Sequence, residues 1–340
     1  MKKKYLTLFP LLLSFALIIT LFSGCNKKNN SDVIKVKLNE VTRSIFYAPF
    51  YVAMNEGFFK EEGLEIDLTT GEGADKTMQQ VLSRSVDIGF SGPEQVLYIY
   101  NQKREDYPIV FGQLTQKDGS FLVSRKEEKD FKWESLKGKV ILGGRPGGVP
   151  QMTLEYVLRN HGINPSKDVE MITNIAFSAV TGAFKGGTAD YAALFEPNAS
   201  LLRKDNTGYI VTSVGASAGI IPYTCYYSTK SYIEKNPEVI EKFTRAVYKG
   251  QIWVQNHNEK EIAKSIKSFF PGTDEDLIAQ VVKNYKDIDA YAPNLVLKEE
   301  NMTRLMDIIQ SYKADILPER PPFDKIVNNI FAEKAIKNVK

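Results

Sequence analysis

The chain is short of the side chains from which reactive centres are most often built. Its 340 residues hold two cysteines, two histidines and two tryptophans. His161 stands just before Gly162 at what reads as a helix end, and His257 lies in a helical region towards the C-terminus. Neither has the spacing of a metal-ligand cluster, and Cys225 has no histidine near it in sequence. No metal, no cofactor and no catalytic residue is therefore expected. With Cys25 taken up by the leader described next, Cys225 is the only thiol left, so no internal disulfide can form and an exported fold must rest on its core. Charge of one sign is lacking as well. The 44 basic side chains exceed the 41 acidic ones by the three lysines at positions 2–4. The rest of the chain is neutral, which excludes a nucleic-acid partner, since that would call for a strongly basic surface. No repeat of the solenoid kind is visible.

What is present begins with an address. Lys2, Lys3 and Lys4 precede an apolar run over residues 6–22 that carries Pro10 and ends in Phe22-Ser23-Gly24-Cys25. A basic start, an apolar middle and small residues at the end make an export signal over 1–24. The run is slightly shorter than the ~20 residues of a membrane span. The ending resembles the bacterial lipobox, with Phe22 where an aliphatic residue is usual, and the resemblance implies lipid on Cys25. An uncleaved anchor helix is the other reading of the same residues. Either one tethers the chain to the cell membrane on its extracytoplasmic face, with 25–32 as a polar tether.

From residue 33 onward short apolar runs alternate with helical stretches. Strands are expected at 33–38, 64–68 and 86–90, with helices at 49–56 and 74–83 between them and a further helix opened by Pro93. The rhythm returns with strands at 139–142, 169–172 and 189–195, helices at 149–160 and 177–185, and a helix started by Pro197. Such alternation implies mostly parallel sheets flanked by helices, and two blocks imply two α/β lobes. The last third reads as helices only, at 237–254, 260–269, 274–286, 298–312 and 323–337, expected to pack around the first lobe.

Ala48-Pro49-Phe50-Tyr51-Val52-Ala53, Glu56-Gly57-Phe58-Phe59 and Glu62-Gly63-Leu64-Glu65-Ile66 form a continuous signature. With Val86-Asp87-Ile88-Gly89-Phe90, Gly92-Pro93-Glu94-Gln95 and Leu194-Phe195-Glu196-Pro197, it resembles the nitrate/sulfonate/taurine and thiamine-pyrimidine-precursor family of ABC-importer binding proteins. The likeness runs with gaps from about residue 34 to about 255. It implies a two-lobed type 2 periplasmic-binding-protein fold with extra C-terminal helices: lobe 1 from 33–118 and 226–340, lobe 2 from 119–225. It also implies crossings near 114–123 and 223–229, closure by hinge motion, a small-molecule solute, a permease with its ATPase as partner, and a monomer. The fungal thiamine-pyrimidine synthases of the same fold family use an active-site histidine and a cysteine-rich iron motif. Nothing in this sequence matches either, so no enzyme is expected.

In open parallel sheets ligands bind outside the carboxyl ends of strands, where helices begin. Four such junctions carry the candidate site: Ser44, Phe46 and Tyr47; Ser91 and Glu94; Arg145, Gly147 and Gly148; and Phe195 and Glu196. Tyr223 on the return crossing joins them. The run Gly143-Gly144-Arg145-Pro146-Gly147-Gly148 lacks the Gly-Lys-Ser/Thr ending of a phosphate loop, so a glycine-lined cleft wall or a plain turn is expected there. The aromatic rings would stack on a flat ligand or else belong to the core. The two glutamates suit amino or ring N–H donors, or else merely partner helix dipoles. Arg145 favours an oxyanion. The charges point to a nitrogen-rich heteroaromatic solute, with a sulfonate, taurine or nitrate as the alternative.

Overall fold

The computed structural model describes residues 33–339. The signal segment, Cys25 and the tether lie outside the described residues.

Among the described residues, ten strands form two five-stranded sheets. In chain order they are β1 (Ile34–Glu40), β2 (Leu64–Thr70), β3 (Ile88–Ser91), β4 (Pro108–Thr115), β5 (Ser120–Ser124), β6 (Val140–Leu142), β7 (Glu170–Ile172), β8 (Tyr191–Phe195), β9 (Tyr209–Ser213) and β10 (Thr224–Thr229). The first sheet runs β2-β1-β3-β10-β4 and the second β7-β6-β8-β5-β9. In each, one strand opposes the rest. β10 is antiparallel to β3 and β4, and β5 is antiparallel to β8 and β9. These two are the strands that follow the crossings, so each sheet is completed by a segment arriving from the other.

The first crossing is shorter than the sequence suggested, the return crossing precedes the expected 223–229, which form strand β10, and the two lie side by side. Residues 116–119 join β4 to β5, and the return path passes through the helix Val214–Ala218 before reaching β10. The Ile221 N–H donates to the Gln116 carbonyl at 3.0 Å, and the Tyr223 N–H to the Thr115 carbonyl at 3.0 Å. Paired in this way, the two links form one ribbon between the sheets.

Local chemistry sets the element ends. Ser44 is extended and caps the short helix Ile45–Tyr47, its hydroxyl accepting the Phe46 N–H. Gly57 adopts a positive φ of 82°, as a turn between two helices requires. The long helix Pro237–Asn256 buries Ile240, Phe243, Val247 and Val254 on one face and packs on the helix Ala48–Asn55. A β-carbon at Gly250 would collide with the Pro49 carbonyl, so glycine is what permits this close approach.

Four strands were not foreseen, β4 and β9 outright and β5 and β10 because their segments were expected as extended crossings, and one expected helix is broken. Residues 323–337 split into Phe323–Ile326 and Ile330–Asn338, because the chain between them pairs with β4: Val327 bridges Val110 and the Asn328 N–H donates to the Val110 carbonyl. The C-terminal helices also do more than cover the first sheet. Glu299–Tyr312 lies against Val149–Asn160 of the second block, and Glu275–Asp287 sends Asn284 and Tyr285 towards β8.

Candidate functional site

The carboxyl ends of β1, β3, β6 and β8 face one another, and the candidate side chains meet on this seam. Phe46 is its centre. The Phe46 ring lies 4.6 Å from Tyr285, 5.7 Å from Tyr47, 5.8 Å from Tyr223 and 6.3 Å from Phe195, centroid to centroid. Tyr47 continues the cluster to Phe90 at 4.7 Å. Gly119 lets the rings close in: a β-carbon there would stand 2.8 Å from Phe46 and 3.0 Å from Phe195. Rings from both blocks, the crossings and a C-terminal helix thus form one aromatic patch, each favourable pair contributing about 0.5–1.5 kcal/mol beyond burial.

Polar groups surround the patch. Ser91 is fully buried and shares a 2.6 Å hydrogen bond with the Tyr227 hydroxyl. Glu94 opens the helix Glu94–Asn101 and is 2% exposed. Its Oε1 accepts a long bond from Gln95 at 3.3 Å, and its Oε2 has no hydrogen-bond partner. Burial pushes its carboxyl up to about 7, which bonds from Gln95 and its own backbone and the charge of Arg145 only partly oppose. The carboxylate folds over Gly92, where a β-carbon would overlap it. Its charge reaches Tyr47, Tyr223, Tyr227 and Cys225, and helps hold the pKa of each above its ordinary value after burial has done most of that.

Glu196 is placed differently from Glu94. Its carboxylate accepts the Ser200 N–H and hydroxyl, both at 2.8 Å, and the Asn284 amide at 2.5 Å. Its own N–H donates to the Tyr285 hydroxyl at 3.2 Å, and the peptide to Pro197 is cis. This side chain is fully engaged in tying the helix Glu275–Asp287 to the end of β8. Arg145 sits at the rim. Its guanidinium pairs with Asp75 across the seam at 2.9 Å, both side chains about half exposed. Gly147 takes a positive φ of 74°, and its carbonyl accepts the Tyr98 hydroxyl at 3.3 Å. Gly148 is the extended residue that opens the helix Val149–Asn160.

Asn284 and Tyr285 of the seam escaped the sequence reading, and so did Asp118. Asp118 lies in the first crossing and is fully buried. Its Oδ1 accepts the Ser120 N–H at 2.7 Å and also the Ser120 hydroxyl. Burial pushes its carboxyl up to about 6. The Tyr223 hydroxyl faces this carboxylate as its hydrogen-bond donor, and burial, with the charges of Asp118 and Glu94, holds its pKa well above the ordinary value. The polar run Gln116-Lys117-Asp118-Gly119 between two largely apolar strands is the signal that could have found it.

The histidines stand apart. His257 stacks on Trp253 at 3.7 Å and His161 lies over Trp133 at 5.4 Å. Among the described residues, no cluster of three or more His, Cys, Asp or Glu side chains could hold a metal. A groove of 710 Å³ lined by Phe58, Lys249, Trp253 and His257 is remote from this chemistry.

A family model described as NMT1/THI5 like matches residues 45–261. The protein named Putative binding protein YtlA, from Bacillus subtilis (strain 168), is 45% identical over 317 residues, covering 93% of this chain and 94% of its own length. A 4-amino-5-hydroxymethyl-2-methylpyrimidine phosphate synthase from Aspergillus parasiticus is 25% identical over 222 residues, 62% of this chain and 63% of its own. The structure of the alkanesulfonate-binding protein SsuA from Xanthomonas axonopodis pv. citri bound to MOPS aligns with a TM-score of 0.69 at 14% identity, over 88% of this chain and 99% of that one. At that identity the likeness speaks for the fold, which is the two-sheet α/β fold of periplasmic binding proteins.

Proposed function

This chain belongs to the NMT1/THI5 like family, and we propose that it is the extracytoplasmic solute-binding component of an ABC importer, capturing a small nitrogen-rich heteroaromatic solute between its two lobes. The observation that carries the ligand class is Glu94, a buried carboxylate with one oxygen unpartnered, standing beside an aromatic patch. A buried acceptor without a donor costs about 1–3 kcal/mol. A ligand offering an amino or ring N–H group removes that cost, and its flat ring has Phe46, Tyr47 and Tyr223 to stack on.

The lobes of this proposal are 33–118 with 226–340, and 119–225. The paired crossings act as the hinge, and a ligand touching both lobes favours the closed state by the difference of its affinities for the two. Lipid on Cys25, a monomeric state, and a permease with its ATPase as partner belong to the same proposal. No step of bond making is included.

A second reading, a sulfonate, taurine or nitrate receptor, is favoured by Arg145 and by what the SsuA structure holds. Against it, Arg145 already pairs with Asp75 at the rim, and an oxyanion beside Glu94 meets a like charge. Thermal-shift measurements on the purified protein separate the two. Stabilisation should follow RT ln(1 + [L]/Kd), about 2.7 kcal/mol at a hundredfold excess over Kd. Aminopyrimidines should stabilise and taurine and nitrate should not; the reverse pattern overturns the preference.

A further inference from the structure

We propose that Tyr98 is a positioning residue for solute retention: its hydroxyl clasps the turn Arg145–Gly148 of the second block, and so sets how often the two blocks part and how fast a solute leaves. The inference rests on the two-lobed receptor reading above. The turn forms the centre of the glycine-rich run 143–148, and its shape is fixed by its sequence. Pro146 follows Arg145, Gly147 has a φ of 74°, and the Gly148 N–H donates to the Arg145 carbonyl at 3.1 Å. Proline second, a positive φ third and a bond closing the four residues make a type II turn. A β-carbon at Gly147 would meet nothing within 4 Å. Glycine is needed there for the backbone conformation and not for space.

Two helices of the first block hold this turn. Asp75, in the first turn of the helix Ala74–Leu82, pairs with the Arg145 guanidinium at 2.9 Å. Tyr98, on the helix Glu94–Asn101, donates its hydroxyl to the Gly147 carbonyl at 3.3 Å and approaches the Met152 sulfur at 3.8 Å. Glu94 and Tyr98 are four residues apart and therefore stand one above the other on the same helix face. The acid proposed to meet the solute and the hydroxyl that holds the opposite block thus move as one piece. Their closeness shows in the Tyr98 phenol. Burial and the Glu94 charge hold its pKa above the ordinary value against the pull of Arg145, so the hydroxyl stays a donor. At 3.3 Å the bond is longer than is usual between oxygens, which suits a contact that must break and re-form as the blocks part. The Arg145–Asp75 pair is half exposed and screened by solvent, whereas the Tyr98 contact is partly buried and is the less screened of the two holds.

The test compares wild type, Tyr98→Phe and Gly147→Ala as purified full chains, by amide hydrogen exchange of the empty protein and by surface plasmon resonance with 4-aminopyrimidine. Tyr98→Phe deletes only the hydroxyl, and Gly147→Ala disturbs only the turn that presents the carbonyl. Each should speed exchange over residues 143–152 about fivefold, the value of one neutral hydrogen bond, while strand β1 keeps its wild-type protection. Each should also speed dissociation of 4-aminopyrimidine about fivefold and leave its association rate within about twofold. A bond that merely supports the fold would leave the dissociation rate unmoved. Unchanged exchange over 143–152, or faster exchange with an unchanged dissociation rate, overturns the role of Tyr98 and leaves the heteroaromatic reading standing. If the wild type does not bind 4-aminopyrimidine, that reading falls, and exchange over 143–152 alone decides for or against Tyr98.

Discussion

Replacing Glu94 by glutamine should make the empty protein more stable and a poorer receptor. The carboxyl is 2% exposed, and burial raises its pKa from 4.5 to about 7. A folded-state pKa above the unfolded one means that the native protein holds a proton which the unfolded chain has lost. Stability therefore falls as pH rises from about 4.5 through about 7. At 1.36 kcal/mol per pKa unit, the ionised carboxylate costs the empty protein roughly 3 kcal/mol at pH 8. Glutamine keeps the shape and the acceptor for Gln95 but never ionises. Urea denaturation of wild type and Glu94→Gln should show the variant ahead by roughly 3 kcal/mol at pH 8 and level near pH 5. Affinity for an aminopyrimidine should fall about ten- to a hundredfold in the variant, as expected for losing a charged hydrogen-bond acceptor. A variant less stable than wild type at pH 8, or an advantage that does not shrink on acidification, refutes the assignment of Glu94 as a strained, ligand-seeking acid.

Two further outcomes test the frame around the site. Gly250→Ala pushes a methyl group into the Pro49 carbonyl and should lower the stability by about 1–3 kcal/mol or more, read as a fall in Tm by circular dichroism; an unchanged Tm contradicts the close helix approach. Asp75→Ala removes the Arg145 partner at the rim. Since both groups are half exposed, stability should change by less than about 1 kcal/mol, while small-angle scattering of the empty protein should show a larger radius of gyration as the lobes part more freely.

Much of the frame was legible because it is written locally. Pro49, Pro93 and Gly57 mark helix ends, and the helix Val149–Asn160 has the bounds expected of it. β4 and β9 were passed over for physical reasons. β4 contains Pro108 and Gly112, neither a strand former, and Gly112 is tolerated because Leu295 packs on it from far along the chain. β9 is a five-residue run whose pairing with β5 is set by distant residues. The break at 327–329 follows from a bridge to Val110 that no local pattern announces.

The site was half legible. Strand-to-helix junctions drew Phe46, Tyr47, Ser91, Glu94 and Phe195 to one seam by a rule about open sheets. That rule is blind to which carboxylate has neighbours of its own. Glu196 and Glu94 look alike in sequence, yet Ser200 and Asn284 satisfy the first, and the second has only Gln95 at long range. Asn284 and Tyr285 reach the seam from a helix that the sequence assigned to cover the first lobe. Asp118 was hidden in a crossing read as plain extended chain.

Recognition turns on a nitrogen-bearing ring being gripped where Glu94 is buried. The most direct measurement is native mass spectrometry of the protein purified without denaturation, followed by release and identification of whatever accompanies it. An adduct that yields an amino-substituted nitrogen heterocycle, present on the wild type and absent from Glu94→Gln, is the predicted result. A released sulfonate or nitrate, or an adduct held equally by both proteins, contradicts it.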